Sequence, residues 1–216
     1  MQNEEIKAKQ LQAVWLVGVG GRGLNTLNRL MPLYNESEKI IAVSDNEEKL
    51  HFSSSKNKYN PQEDVLGSFD GMFPNAIPHN ELVIVINGLG GGSEKYVPKM
   101  IDELRSNGNF VIPIVSMPFR FEAVARKKNA LKYKESIKEK ADITVVFEND
   151  RILATANKNS AFPEAIAGQD QIIKKIIDTI FELSLAKDVM SDNVYLECLR
   201  QQLLNLQPGE FEVFTN

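Results

Sequence analysis

Five short apolar runs constrain the fold more than any other feature of the 216-residue chain. They are "AVWLVG" from Ala13, "KIIAVS" from Lys39, "ELVIVI" from Glu81, "FVIPIV" from Phe110 and "DITVVF" from Asp142. Each is apolar at nearly every position, not at alternate ones, so each reads as a strand buried on both faces, as central parallel strands are. Helical patterns lie between them near Gly23–Leu33, Glu94–Asn107 and Phe121–Lys140. That alternation predicts βαβ units and an α/β fold, a doubly wound, Rossmann-like parallel sheet with flanking helices.

The C-terminal third reads as helical. "PEAIAGQDQIIKKIIDTIFELSLA" carries isoleucines at 172, 173, 176, 177 and 180 in an i, i+3, i+4 stripe, with Pro163 suited to its first turn. "SDNVYLECLRQQLLNL" follows, with Val194, Tyr195, Leu199 and Leu203 on one face, either packed on the chain's own core or offered to a partner. The tail "QPGEFEVFTN" is too short to form a domain. The segment from His51 to Asn80 is polar and rich in turn formers, so a long connection over the ligand edge of the sheet is expected.

Charge and cysteine content narrow the function. A net charge of −4 and a pI near 5.4 leave no electrostatic footprint for nucleic acid. The cluster Arg126, Lys127, Lys128, Lys132, Lys134, Lys138 and Lys140 is interleaved with Glu122, Glu135 and Glu139, and reads as a solvated helix face. The single cysteine, Cys198, excludes an intramolecular disulfide, and reads as a small core residue. His51 and His79 lie far apart, so no zinc site is expected. "MQNEEIKAKQ" lacks an apolar signal region and no apolar run reaches membrane-span length, so a soluble cytoplasmic protein is expected.

Two glycine-rich loops follow the first and third of the apolar runs, where ligands of such sheets bind. "GVGGRG" fits GxGxxG at Gly18, Gly20 and Gly23, and Asp45 ends the second run where a dinucleotide fold places its ribose carboxylate. An NAD-binding oxidoreductase is therefore one reading, and a tight turn without a ligand is another. The second loop, "GLGGG", is more than an NAD domain needs.

Taken in order, "VGVGGRGLNTLNRL", "IAVSDNEEKL", "ELVIVINGLGGG", "PFRFEAVAR" and "VVFENDRILA" resemble the FtsZ branch of the FtsZ/tubulin GTPase superfamily, over roughly residues 13 to 183. The resemblance implies GTP or GDP, with magnesium, at the carboxyl edge of the sheet. It places Gly20, Gly21, Arg22 and Gly23 in a first phosphate loop, with Asn25 toward the base. Ser44, Asp45 and Asn46 match a loop near the phosphates and magnesium. Gly90, Gly91, Gly92 and Ser93 match the start of a second phosphate loop. Glu122 and Arg126 fall near the ribose and phosphates, and Asn149 and Asp170 near guanine, whose N–H groups a carboxylate can accept.

The departures from that pattern carry as much weight. Glu94, Lys95 and Tyr96 replace a Gly-Thr-Gly ending, and side chains there would obstruct the approach to phosphate. Leu50 to Glu81 is shorter than the equivalent stretch and lacks its glycine-alanine loop. Ile166 replaces a phenylalanine expected to stack on the base. Asp188 and Asp192 do not reproduce the acidic NxDxxD loop that hydrolysis needs, and the second domain that follows it is not in the sequence. The expected organisation is an extension over 1–12, an FtsZ-like nucleotide-binding domain over 13–187, and an extra helix and tail over 188–216. The expected function is guanine-nucleotide binding with reduced or absent hydrolysis, as a switch or assembly subunit whose partner is itself or another FtsZ-like chain. The alternative is a pseudo-GTPase scaffold that binds no nucleotide. No catalytic or metal-ligating residue is assigned. Cell division, cytoskeletal assembly and membrane remodelling are the processes associated with the family.

Overall fold

The computed structural model describes residues 14–34, 38–61, 77–155, 162–184, 190–206, 209 and 211–216. Seven strands form one sheet in the order β3-β2-β1-β4-β5-β6-β7. They are β1 (Val14–Val19), β2 (Ile40–Val43), β3 (Asn57–Tyr59), β4 (Leu82–Gly88), β5 (Phe110–Met117), β6 (Ile143–Glu148) and β7 (Phe211–Thr215). All neighbours are parallel except β6 and β7. The chain winds outward from β1 to β3, then returns to place β4 on the other side of β1 and winds the opposite way. The β1/β4 boundary is thus the switch point at which such sheets open a crevice.

The five expected strands are present, and β1, β2 and β5 are buried at every position. Successive residues serve opposite faces. Val14 and Leu16 join one core with Ile84 and Ile112, whereas Trp15, Val17 and Val19 join the other with Val83 and Val111. The first core is covered by α1 (Gly20–Leu30), α6 (Phe162–Ser184) and α7 (Asp192–Leu206). The second is covered by α3 (Val97–Ser106) and α4 (Val124–Lys140). Two short helices, α2 (Glu47–His51) and α5 (Asn149–Thr155), follow β2 and β6.

On α6, Ile173, Ile176, Ile177 and Ile180 are fully buried, together worth on the order of 10 kcal/mol of apolar burial as an upper estimate. On α7, Tyr195, Leu199 and Leu203 pack into the same core. The helix therefore serves the chain's own interior. Val194 does not share that face, being 56% exposed. Cys198 is free and half-buried, not a core residue. Helix α4 buries only Ala130 and Ile137; Arg126, Lys128 and Lys132 are exposed, whereas Lys127, Lys134, Lys138 and Lys140 are half-buried. Lys134 and Lys138 pair with Glu148 and Glu135.

Three elements depart from the sequence expectation. The tail supplies β7, an antiparallel edge strand against β6, tied further by an Arg151–Glu212 ion pair of 2.6 Å. The expected long connection begins where α2 ends and contains β3, and residues 62–76 of it lie outside the described residues. The N-terminal extension and Asp188 also lie outside them. Among the described residues, no helix is long and apolar enough to cross a membrane.

Candidate functional site

The first glycine loop turns directly from β1 into α1. Gly20 takes φ +66°, and a Cβ there would fall 1.9 Å from Ser93 Oγ in the second loop. The two loops therefore touch, and only a residue without a side chain fits between them. Asn87, fully buried at the end of β4, fastens the junction. Its Nδ2 donates to Val19 O at 2.9 Å and to Ser93 Oγ at 3.2 Å.

Beside this junction is a cavity of about 320 Å³ at the carboxyl edge of the sheet. Gly21 and Arg22 form one wall, and Gly88, Leu89, Gly91 and Ser93 form another. The end of β5, from Ser116 through Phe119, also lines it, with Asn149 and Ile166. Positive charge enters from Lys49, whose ammonium lies 3.1 Å from where a Gly21 Cβ would be. Glu122 and Arg126 also line the cavity and form an ion pair. Arg126 Nε donates to Gly90 O at 2.9 Å, and Glu122 Oε1 accepts from Phe119 N at 2.8 Å. This pair fixes α4 against the second loop.

Seven of the sixteen expected site residues line the cavity: Gly21, Arg22, Gly91, Ser93, Glu122, Arg126 and Asn149. The other nine are placed differently. Gly23 is buried behind the loop, where a Cβ would meet Ile86 O at 2.3 Å, so its role is close packing of α1 on β4. Asn25 is exposed. Ser44 is buried and accepts from Asn46 N at 3.1 Å, while Asn46 caps α2 by accepting from Lys49 N at 2.9 Å. Asp45 accepts from Tyr96 Oη at 3.0 Å. Burial pushes the Tyr96 hydroxyl above its ordinary value, and the Asp45 carboxylate also favours the protonated form, so Tyr96 is a neutral donor.

Gly90 and Gly92 hold the second loop's shape with φ of +85° and +100°. The Gly92 N–H is taken by Glu94 Oε2 at 2.6 Å. Glu94 is 1% exposed and Tyr96 8% exposed, and neither lines the cavity. The expected obstruction by these side chains is thus corrected. They turn inward, and what Glu94 adds is a buried negative charge inside the loop. Lys95 is exposed and sits over the Tyr96 ring.

At the far end, Asp170 is buried and accepts from Thr26 Oγ1 at 3.0 Å. It pairs with Arg22 at 2.8 Å and also with Arg29. Gln169, fully buried, accepts from Arg22 at 2.6 Å and donates to Ser116 Oγ at 3.0 Å and Asn149 Oδ1 at 3.1 Å. Sequence reasoning missed Lys49, Asn87 and Gln169. Asn87, polar at the end of an otherwise apolar strand, carried the one readable signal. Among the described residues, no group of acidic, histidine or cysteine side chains is arranged to hold a metal.

Two touching glycine loops at the switch point of a parallel sheet, with Glu122, Arg126 and Asn149 around them, form a crevice where open α/β sheets bind ligands. The family "Tubulin/FtsZ family, GTPase domain" matches residues 75–157. The chain is 28% identical to "Cell division protein FtsZ 1" of Thermococcus kodakarensis, over 84% of this chain and 54% of that protein. It is 30% identical to the protein of the same name from Pyrococcus woesei, over 83% of this chain and 52% of that one. The solved structure "FtsZ dimer, empty (M. jannaschii)" superposes with a TM-score of 0.66 at 24% identity, covering 84% of this chain and 59% of that chain. The chain is thus similar to the GTPase domain of the Tubulin/FtsZ family over residues 75–157, and it shares that domain's fold. It spans about half the length of the curated relatives it matches.

Proposed function

We propose that the protein binds a guanine nucleotide, GTP or GDP with magnesium, and has little or no hydrolytic activity of its own. It then serves as a switch or assembly subunit with a second copy or another FtsZ-like chain. The observation that carries the reading is the cavity lined by both glycine loops, with Lys49 beside Gly21 and Arg126 bonded to Gly90 as cations, and Asn149 in the same lining. Magnesium, if bound, would come with the nucleotide, since no group among the described residues is arranged to hold a metal. Weak hydrolysis fits the acid inventory. Among the described residues lining the cavity Glu122 is the one carboxylate, and Arg126 and Phe119 N already engage it. A role in cell division is drawn from the relatives' names alone.

The test is calorimetric titration with GTP, GDP, ATP and NADH, each with magnesium. GTP or GDP is expected to bind in the micromolar range, ATP much more weakly, and NADH not at all. Binding of NADH alone would overturn the guanine reading in favour of an oxidoreductase. The scaffold reading draws support from the internal partners of Asp170, Asn149 and the Gly92 N–H, and predicts no binding of any nucleotide. Glu94 gives a second measurement. Two like charges roughly 10 Å apart repel by about 1–2 kcal/mol at an effective dielectric of 20. Glu94→Gln keeps an acceptor for Gly92 N but removes the charge, so GTP and GDP are expected to bind about tenfold tighter. Unchanged affinity would mean that phosphate does not approach the second loop.

A further inference from the structure

We propose that Arg22 couples recognition of the base to recognition of the phosphates, by exchanging Asp170 for a phosphate as its anionic partner. The proposal rests on the guanine-nucleotide reading above. Arg22 belongs to the first turn of α1 and lines the cavity, and its guanidinium is held by two residues of α6. It lies 2.8 Å from Asp170 Oδ1 and donates to Gln169 Oε1 at 2.6 Å. Asp170 itself does not line the cavity, whereas Arg22, its ion-pair partner, does.

Arg22 is the cavity-lining side chain that holds Asp170 and Gln169. Asp170 Oδ1 serves Arg22 and Thr26, while Oδ2 serves Arg29. Gln169 uses its oxygen on Arg22 and its amide nitrogen on Ser116 and Asn149. A guanine that donates its two N–H groups to Asp170 must displace Arg22. The Arg29 side chain is 48% exposed and can remain on the outer oxygen or turn to water. The Arg22 side chain is 18% exposed, and losing its carboxylate there is unfavourable unless another anion replaces it. A phosphate in the adjacent loop is that anion, and its paired oxygens match the guanidinium fork.

A ligand with base and phosphates satisfies both groups, whereas a nucleoside frees Arg22 without repairing it. Arg22 is accordingly a positioning residue that disfavours phosphate-free guanosine. The experiment is calorimetric titration of wild type, Arg22→Ala and Arg22→Gln with GDP plus magnesium and with guanosine, with thermal melts to establish folding. In Arg22→Ala, guanosine is expected to bind roughly tenfold more tightly, one competitor being removed. For GDP the same gain is offset by the lost charge-assisted phosphate contact, so its affinity is expected to be unchanged or to fall by up to about tenfold. Arg22→Gln keeps a neutral donor for Asp170 and should fall between the two; it carries the same readout if the alanine variant does not fold. Equal changes for both ligands, or none, would overturn the coupling. Wild type binding neither ligand would overturn the guanine reading and the coupling together, and so is distinguishable from a parallel shift in the variants.

Discussion

Asp170→Ala is expected to lower the melting temperature by roughly 5–10 °C and to abolish detectable guanine-nucleotide binding. The carboxylate is the shared partner of Arg22, Arg29 and Thr26, which all lie on α1, so it joins α1 to α6. Removing one member of a buried ion pair costs about 3–5 kcal/mol, because the partner keeps its charge and loses its compensation. Arg29 is half exposed and recovers water, so roughly 2–3 kcal/mol is the better figure here. Asp170→Asn retains an acceptor for Thr26 and should lose less. Thermal melts of the three proteins, followed by circular dichroism, measure the difference. An unchanged melting temperature in the alanine variant would mean that the α1–α6 contact rests on apolar packing alone.

Gly23→Ala is expected to destabilise the protein by about 3 kcal/mol or more, at the upper end for overpacked sites. The added methyl would fall 2.3 Å from Ile86 O and 2.9 Å from Gly18 C, both backbone atoms of the sheet. Neither can rotate away, so α1 must lift from β4. Gly21→Ala, two residues earlier in the same motif, meets only the flexible end of Lys49 at 3.1 Å. Its stability loss is expected below about 1 kcal/mol, with the larger effect in GDP affinity. Urea unfolding midpoints separate the two variants. Equal midpoints would contradict this division of the glycines between packing and ligand.

That division explains why the first loop was legible as a loop but not in its parts. "GVGGRG" announces a tight strand-to-helix turn, yet only the fold shows that Gly23 faces β4 and Gly20 faces Ser93. The central strands were readable because burial on both faces writes continuous apolarity into the sequence. Strand β7 was not, since of its residues only Phe211 is buried and "FEVFT" follows a turn. "NKY" of β3 carries no apolar signal at all. In the cavity, Asn149, Glu122 and Arg126 came through the family resemblance. The link from Arg22 to Gln169 and Asp170 joins residues far apart in the chain, so no local pattern could contain it. Gln169 and Lys49 look like ordinary polar residues until packing aims them.

The antiparallel pairing of β7 on β6 bears on synthesis of the protein. Until Phe211–Thr215 have been made, β6 presents an unpaired apolar ladder, the kind of edge that recruits other chains. About 60 residues separate the two strands, so at ordinary translation rates the edge stays open for roughly 3–12 s. Helix α6 can cover the face of the sheet in that interval but not its rim. The nascent chain therefore passes through a window of several seconds in which its neighbours on a polysome, not its own sequence, are the nearest available strands.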